Sequence, residues 1–413
     1  MLITQKNKKK IRIGIVSSLL PPAGFGHSIV ISRLLSGTDP ENYFLISSAD
    51  QSAEGISNSC PKLPGKYYQL NKFRQLPYRN LLKLNYIVPV SNFVIQLYTR
   101  MKEIVRILRH ENCDLLVACS GDLYDIPAAF WASRKLGIPF VPYMFDDYLY
   151  QWTGMSRSIV SHVEPYVLTR SDSVIVPNEF LQKEYRQRYN IKATVLHNPC
   201  EMPDSKSLEG HSKWFSDETY NIVYAGSVYH AHYDAFKNLV AAIESLNNEK
   251  IKLHIFSEQP RDVLEASGIR GSMIEKHPHI SQSEIKKVLH DADILFLPLA
   301  FNSPIHEVIK TSAPGKTGEY LVSGSPILVH APADTFISWY FREHECGIVV
   351  DQPDVEQLAS SISRLMTEPE FVQGLAIRSI NMAEQDFSID VMQRRFQDFI
   401  VSRIDEKRSM ISE

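Results

Sequence analysis

The stretch that decides the fold is TSAPGKTGEYLVSGSPILVHAP, residues 311–332. Ser312 suits the N-cap of a helix and Pro314 suits its first turn. Residues 315–324 then have a helical pattern, and the apolar run 325–331 predicts a buried strand directly after them. The chain around this stretch repeats the same alternation of helix and buried strand.

Short, continuously apolar runs predict the other strands of both halves. In the first half we expect strands at 11–19, 42–49, 113–121, 138–146, 171–178 and 192–198, with helices at 28–36, 126–136 and 180–189. In the second half we expect strands at 220–227, 251–257, 293–299, 325–331 and 346–350, with helices at 236–247, 283–292, 315–324, 334–345 and 355–366. Such alternation is typical of parallel sheets covered on both faces.

Residues 199–218 interrupt this alternation, because they are polar and contain two prolines. The predicted fold class is therefore α/β, with two doubly wound Rossmann-like domains that face a cleft. We place the domains at 1–200 and 219–385, joined by a linker at 201–218. A helix is expected at 386–413, and packing back on the N-terminal domain is one arrangement open to it.

The composition of the 413 residues excludes several classes of protein. Hydrophobic residues make up 44%, charged residues 22%, and the formal net charge is −3, so a strongly basic nucleic-acid binder is not indicated. Five scattered cysteines without a CxxC favour reduced thiols over a disulfide framework, and no tight Cys/His cluster suggests zinc. No run of 18 apolar residues predicts a membrane span. Arg12 within the first apolar run favours a buried strand over a signal peptide.

Two loops of the first half carry candidate binding residues. Gly24 and Gly26 lie between the first predicted strand and helix, followed by His27, and glycines there let the backbone approach an anion at the helix start. A tight turn without a ligand remains an alternative. Asp146 and Asp147 follow a predicted strand, where one carboxylate can serve as a base or bind sugar hydroxyls. Their alternative role is a helix cap or a solvated turn.

The loop after the first strand of the second half begins with Gly226 and Ser227 and is rich in His and Tyr. His230 and His232 are two positions apart, which permits a metal, but no third ligand is near in sequence. Hydrogen bonding to a ligand or an acceptor is the interpretation we favour. We therefore expect no metal site.

The helix start at 312–319 is the most informative candidate. The free N–H groups at this helix start and the helix dipole favour a diphosphate, and Lys316 adds a positive charge. Glu319 lies one turn into the helix, where it can accept two hydrogen bonds from ribose hydroxyls. The alternative is an ordinary helix start with a capping glutamate.

Two basic or amphipathic stretches permit contact with an anionic membrane surface. They are KNKKKIR at residues 6–12 and the mixed basic, aromatic and apolar segment 74–108. A solvated terminus and a buried helix are the alternatives.

The order of these segments resembles the group one glycosyltransferases of the GT-B fold, which build bacterial polysaccharides and glycolipids. The resemblance spans roughly residues 11–400 and rests on the four segments VIVPNEFLQKEYRQRYNIKATVLHNP, NIVYAGSVYHAHYDAFKNLVAAIESL, IKKVLHDADILFLPL and PGKTGEYLVSGSPILVHAP. The last is similar to the family's donor helix, a Lys-x-x-Glu followed by a small-residue turn and a Pro-Ile strand. It implies transfer of a sugar from a nucleotide-sugar to an acceptor hydroxyl.

The resemblance also implies roles for individual residues. The expected donor-binding residues are Gly24, Gly26, Gly226, Ser227, Thr311, Ser312, Gly315, Lys316 and Glu319. Glu319 matches the second glutamate of the family's motif and binds the ribose. The position of the first glutamate holds Thr311, so Glu307 is the nearby catalytic candidate, together with Asp146. His27, Asp147 and His230 are assigned to the acceptor side.

The partners implied are a nucleotide-sugar donor and a sugar, lipid-linked or other acceptor, with no nucleic acid and no cofactor. No metal is expected, because the helix dipole and basic residues stabilise the leaving diphosphate. A cytoplasmic location is expected, with peripheral contact to the inner membrane face as an open possibility. Two other functions remain alternatives: a nucleotide-sugar epimerase and a non-catalytic GT-B module that binds a partner. Hydride transfer is disfavoured, because no GxGxxG motif occurs.

Overall fold

The computed structural model describes residues 11–24, 26–48, 60–71, 87–203, 213–278 and 280–412. The chain divides into two compact units. The first comprises Met1–Leu196 and Gln393–Glu413, and the second comprises His197–Met392. Both units are α/β, which confirms the predicted fold class.

The first unit contains a seven-stranded sheet in the order β3-β2-β1-β4-β5-β6-β7, with every pairing parallel. Its strands are β1 (Ile13–Ser17), β2 (Tyr43–Ser47), β3 (Lys66–Gln69), β4 (Leu115–Cys119), β5 (Phe140–Tyr143), β6 (Ile175–Val176) and β7 (Thr194–Val195). All five residues of β1 are buried, as the continuous apolar run predicts for a central strand.

Helices cover this sheet. They are α1 (Gly26–Leu35), α2 (Ile87–Glu111), α3 (Asp125–Leu136), α4 (Gly154–Leu168) and α5 (Glu179–Tyr189). Local sequence explains two of their ends. The Asn178 side chain accepts a hydrogen bond from Leu181 N–H at the start of α5. Gly137 ends α3 with a left-handed φ of 69°.

The second unit contains a six-stranded parallel sheet in the order β10-β9-β8-β11-β12-β13. Its strands are β8 (Tyr220–Ala225), β9 (Ile251–Phe256), β10 (Ile274–His277), β11 (Ile294–Pro298), β12 (Ile327–His330) and β13 (Ile348–Val350). Its helices are α6 (Tyr233–Ser245), α7 (Arg261–Ala266), α8 (Gln282–His290), α9 (His306–Thr311), α10 (Lys316–Ser323), α11 (Phe336–Glu343), α12 (Val355–Thr367) and α13 (Pro369–Asp386). A capping box between Ser281 and Glu284 starts α8.

The two sheets share one strand order, which fixes where each can bind a ligand. In each, the order reverses beside the first strand of the unit, between β1 and β4 and between β8 and β11. Ligands of doubly wound sheets bind outside the carboxyl ends of the strands at this switch point. We therefore expect ligands at the loops that follow β1, β4, β8 and β11.

The last helix, α14 (Ile389–Ser412), returns to the first unit from Gln393 onward. The Gln393 side chain donates to Arg33 C=O over 2.6 Å, and Arg408 lies 3.1 Å from Asp114. The described ends of the expected linker, 201–203 and 213–218, fall within the second unit.

Residues 6–10 of the basic run and 74–86 of the amphipathic segment lie outside the described residues. Arg12 is not a solvated basic residue, since its Nε donates to Glu111 over 2.6 Å. Residues 87–108 belong to α2. Within the described part of the chain, no helix is long and apolar enough to cross a bilayer.

Candidate functional site

The carboxyl end of β8 forms the centre of the candidate site in the second unit. Gly226 follows the strand with φ 133°, a conformation that side-chain-bearing residues rarely adopt. A Cβ placed on Gly226 would lie 2.9 Å from Lys316 Nζ. The glycine therefore leaves the space into which the lysine reaches.

Lys316 is the first residue of α10, and its Nζ lies 3.7 Å from the centre of the Tyr224 ring. The ammonium group thus rests on an aromatic face and beside the backbone that follows β8. Burial lowers the pKa of Lys316 to about 7, although Glu319 acts in the opposite direction. A cation held in this way is poorly solvated, so an added anion would gain more from it than from a surface lysine.

Tyr224 and Tyr320 fix this arrangement. The Tyr224 hydroxyl donates to Ser227 C=O over 2.7 Å, and Ala225 N–H donates to the Tyr320 hydroxyl over 3.0 Å. Both rings are fully buried. Together they join the end of β8 to the first turns of α10.

The start of α10 is open to an anion. Gly315 precedes the helix and has no side chain to cap the first turn, and nothing lies within 4 Å of a Cβ built on it. The first turn presents the positive end of the helix dipole beside Lys316, and of its backbone groups Thr317 N–H already donates to Pro314 C=O over 2.9 Å. These features are the ones that a diphosphate group needs.

Glu319 lies one turn into α10 and is half-buried. Gln282, at the start of α8, donates from Nε2 to Glu319 Oε1 over 3.3 Å. This contact orients the carboxylate and leaves it a capacity for further donors, because an ionised carboxylate has about four acceptor positions.

The segment before α10 contains Thr311, which occupies the position of the first glutamate of the donor motif, and the nearby candidate Glu307. Thr311 is the last residue of α9, is buried, and donates its hydroxyl to Glu307 C=O over 3.2 Å. Glu307 lies one turn earlier and is exposed. Ser312 is half-buried and forms the C-terminal cap of α9 rather than the N-cap of α10, a role that Gly315 takes. The extra helix α9, which the sequence pattern did not predict, causes this change.

The loop after Gly226 holds the predicted acceptor-side histidine. Ser227 and His230 are exposed, whereas His232 is buried at the start of α6. Burial, followed by the charge of Lys316, lowers the pKa of His232 well below its usual value. His232 Nδ1 is buried and has no hydrogen-bond partner among the residues that the structure describes.

In the first unit, the segments that follow β1 and β5 place His27 and Phe145 together. His27 is the second residue of α1, and its ring centre lies 5.7 Å from that of Phe145. Its Nε2 atom is buried without a partner in the described ranges, and burial lowers the pKa of His27 to about 4. The imidazole is therefore neutral at pH 7. It can donate or accept one hydrogen bond to a ligand, according to its tautomer.

The glycine loop before α1 is open at Gly26, which is exposed and would have nothing within 4 Å of an added Cβ. Gly24 is half-buried, and residue 25 between them lies outside the described residues. Ser28, the third residue of α1, has a fully buried Oγ with no partner in the described part of the chain. Unpaired buried polar atoms at His27 and Ser28 are compatible with a ligand at this helix start.

The adjacent carboxylates Asp146 and Asp147 have different environments. Asp147 is 1% exposed and forms an ion pair with Arg188, whose Nη1 lies 3.3 Å from Oδ1. Glu164 lies 3.9 Å from the same guanidinium. Asp147 is thus a member of a buried ion-pair network.

Asp146 is half-buried. Burial, and then the charge of Asp147, raise the pKa of Asp146 to about 6. A carboxylate with this pKa is ionised at pH 7 and is a stronger base than an exposed aspartate. The role assigned to it from sequence stays a prediction.

Three residues that sequence reasoning missed support the predicted ones. Tyr224 carries the Lys316 ammonium, Gln282 orients Glu319, and Arg188 neutralises Asp147. Tyr224 lies two residues before Gly226 in the sequence, and this proximity is a signal by which it could have been found. Gln282 and Arg188 are 37 and 41 residues away from their partners, and no sequence pattern links them.

Known structures share this fold. A glycosyltransferase from Rickettsia africae ESF-5 superposes with a TM-score of 0.67 at 12% identity, over 96% of this chain and 99% of that one. Sucrose-phosphate synthase from Thermosynechococcus elongatus gives 0.64 at 14% identity, over 95% and 98%. Anabaena HepE in complex with UDP and glucose gives 0.65 at 12% identity, over 95% and 100%. No curated protein sequence gives a significant match.

Family models match the sequence in both units. The model "Glycosyltransferase Family 4" matches residues 60–202, and the model "Glycosyl transferases group 1" matches residues 219–368. The two matches follow one another along the chain and together take in well over half of it. Since each falls largely on one doubly wound unit, the chain belongs to the group 1 glycosyltransferases of the GT-B fold, which are sugar-transferring enzymes.

Proposed function

We propose that the second unit binds a nucleoside diphosphate sugar at the start of α10. The diphosphate lies against the N–H groups of the first turn and against Lys316, and Glu319 accepts the ribose hydroxyls. The observation that carries the proposal is the Lys316 ammonium, which lies 3.7 Å from the Tyr224 ring centre and points at the space left by Gly226. A desolvated cation beside an uncapped helix start is suited to a pyrophosphate.

The reaction follows from this binding mode. An acceptor hydroxyl attacks the anomeric carbon, the bond from that carbon to the diphosphate oxygen breaks, and the nucleoside diphosphate leaves. Lys316 and the helix dipole stabilise the charge that develops on the leaving oxygen, so we propose that the transfer itself needs no metal and no cofactor. The proton of the hydroxyl goes to a carboxylate, for which Asp146 is our candidate, with the exposed Glu307 as the second.

UDP is the nucleotide that we propose first. The Anabaena neighbour was solved in complexes with UDP and with UDP-glucose. The acceptor is proposed only at the level of its chemistry, a hydroxyl of a sugar, a lipid-linked sugar or another molecule.

Binding of a nucleotide panel tests the donor site. Full-length protein is titrated with UDP, GDP, ADP, CMP and dTDP by calorimetry, and thermal midpoints are recorded in parallel. One nucleotide, with UDP expected, should bind, and Glu319→Ala should weaken it by about 100-fold, since two hydrogen bonds to an ionised carboxylate are lost at about 1.5 kcal/mol each.

The matched control is Glu356→Ala, because Glu356 is also a glutamate in the first turn of a helix of the second unit, and it is exposed. It should bind the nucleotide as the unaltered protein does. Equal binding by Glu319→Ala and the unaltered protein would overturn the ribose assignment. A folded protein that binds none of the five nucleotides would overturn the donor site and favour a partner-binding module.

We also propose that α2 contacts a membrane surface. Val90, Val94, Ile95 and Tyr98 on this helix are each at least 40% exposed, and Lys102 lies over the Tyr98 ring at 4.4 Å. An exposed apolar stripe with a lysine beside it is suited to an anionic interface. Co-sedimentation with vesicles that contain anionic lipid should fall in Val94→Glu. Equal sedimentation of both proteins contradicts the proposal.

A further inference from the structure

Apart from the candidate donor site, the second unit contains a cluster of side chains with the composition of a metal site. His254 on β9 and Glu275 and His277 on β10 bring one imidazole nitrogen, one carboxylate oxygen and a second imidazole nitrogen within 4.8 Å of one another. The parallel register pairs Glu275 with His254 and His277 with Phe256. The cluster therefore bridges the outermost strand of the sheet and its neighbour.

The spacing of the ligand atoms fits a small tetrahedral ion. His254 Nδ1 lies 3.0 Å from His277 Nε2 and 3.4 Å from Glu275 Oε2. Two ligands bound about 2.0–2.1 Å from a tetrahedral zinc lie roughly 3.3–3.4 Å apart. The atoms therefore reach an ion placed between them with only small shifts of the side chains.

Neighbouring groups fix which nitrogen of His254 faces the cluster. His254 Nε2 lies 3.1 Å from Asn221 Oδ1. The side-chain nitrogen Nδ2 of Asn221 donates to Asp293 Oδ2 over 3.0 Å and to Thr219 C=O over 3.1 Å. The side-chain oxygen of Asn221 must therefore face His254. His254 therefore donates from Nε2, and the lone pair of Nδ1 points at the cluster. A ligand histidine whose second nitrogen donates to an oxygen is the usual arrangement in metal sites.

Aromatic contacts hold both imidazole rings. The His277 ring lies 4.4 Å from the Phe256 ring with an angle of 12° between their planes. Phe215 lies 4.5 Å from His254. Such packing limits rotation of the rings, so the ligand set is preorganised. Glu275 is about half exposed, which leaves the fourth position of a bound ion open to water.

We propose that His254, Glu275 and His277 bind one divalent ion of the zinc class. Two imidazoles and a carboxylate with an open fourth position are a ligand set that zinc accepts. The ion would join β9 to the edge strand β10 and stabilise the second unit. It would take no part in the proposed sugar transfer, since none of its three ligands belongs to the donor site.

The test uses full-length protein purified without a polyhistidine tag and treated with EDTA. Titration with ZnCl2 by calorimetry should show one ion bound per chain, with a higher thermal midpoint, and CoCl2 should give the visible absorption of a four-coordinate site. Glu275→Gln and His277→Gln should each weaken zinc binding by at least about tenfold. Both residues are at least partly exposed, so the variants should fold, and circular dichroism checks this.

His306→Gln is the matched control, because His306 Nε2 also lies 3.4 Å from a carboxylate oxygen, that of Asp334. It should bind zinc as the unaltered protein does. Absence of zinc binding in the unaltered protein, or binding that is unchanged in Glu275→Gln and His277→Gln, would overturn the proposal. Nucleotide binding should persist in both variants, so this proposal and the donor-site proposal can fail separately.

Discussion

Replacement of Lys316 by methionine should stabilise the protein without ligand and remove nucleotide binding. Methionine keeps an unbranched side chain of similar length but removes the ammonium group from the Tyr224 ring and from Gly226. The pKa of Lys316 falls from 10.5 to about 7. A shift of this size corresponds to about 5 kcal/mol of destabilisation at neutral pH. The cation–π contact with Tyr224 acts on the same charged form and is therefore already contained in this shift, so the expected gain is about 5 kcal/mol.

The pH dependence follows from the direction of the pKa shift. Between pH 7 and 10.5 the unfolded chain holds the lysine proton and the folded chain has lost it, so stability of the unaltered protein rises with pH in this window. Below pH 7 the penalty is present in full. The advantage of Lys316→Met should therefore be about 5 kcal/mol at pH 6.5 and should fall to about 2 kcal/mol at pH 9, where the folded lysine is neutral and only the cost of its deprotonation remains.

Thermal unfolding at both pH values measures this difference. A gain of about 5 kcal/mol should raise the thermal midpoint of a unit of this size by roughly 10–20 °C at pH 6.5, and by clearly less at pH 9. Nucleotide affinity should fall about 10- to 100-fold, since a charged contact to phosphate is lost. Lys250→Met, at an exposed lysine of the same unit, should change neither quantity. A lower midpoint for Lys316→Met at pH 6.5, or a difference that does not change with pH, would refute the reasoning.

Three further predictions concern the loops and the acidic pair. Gly226→Ala should lower the free energy of unfolding by about 1–3 kcal/mol, because the φ of Gly226 is 133°. Gly26→Ala should change the free energy of unfolding by less than about 0.5 kcal/mol, because the space around Gly26 is open. Denaturant unfolding of both variants measures the difference. Arg188→Met should cost about 3–5 kcal/mol, because Asp147 is left buried and unpaired, and an unchanged urea midpoint would contradict this. If Asp146 is the base, kcat/KM should fall below about pH 6, where its carboxylate becomes protonated, and Asp146→Asn should abolish that dependence.

The central strands of both sheets were predictable, because they are continuous apolar runs buried on both faces. Two of the four edge strands were not predicted: β3, with the sequence KYYQ, and β10, with the sequence IEKH. Each is four residues long and carries polar side chains, because an edge strand has one open side and needs less apolar surface. Helices α4, α7 and α9 were also missed.

The candidate site divides in the same way. Gly226, Lys316 and Glu319 were expected together, since a helix start and a strand end have recognisable residues, and the structure brings Gly226 and Lys316 into contact. The different environments of Asp146 and Asp147 were not predictable, because they depend on Arg188, which lies 41 residues after Asp147 in the sequence. The same holds for His254 and its two partners on β10, which become neighbours only through the register of the two strands.

The helix α14 bears on the order in which the units can be completed during synthesis. The second unit is one uninterrupted stretch, His197–Met392, and can fold once the ribosome has released it. The first unit also requires the residues from Gln393 onward, which are translated after the whole second unit. Phe396, Ile400 and Ile404 are each at most 3% exposed, so their partners stay uncovered until then. The first unit, although its translation begins before that of the second, is therefore completed after it, and a nascent chain that stops before Gln393 would hold a complete second unit and an unfinished first one.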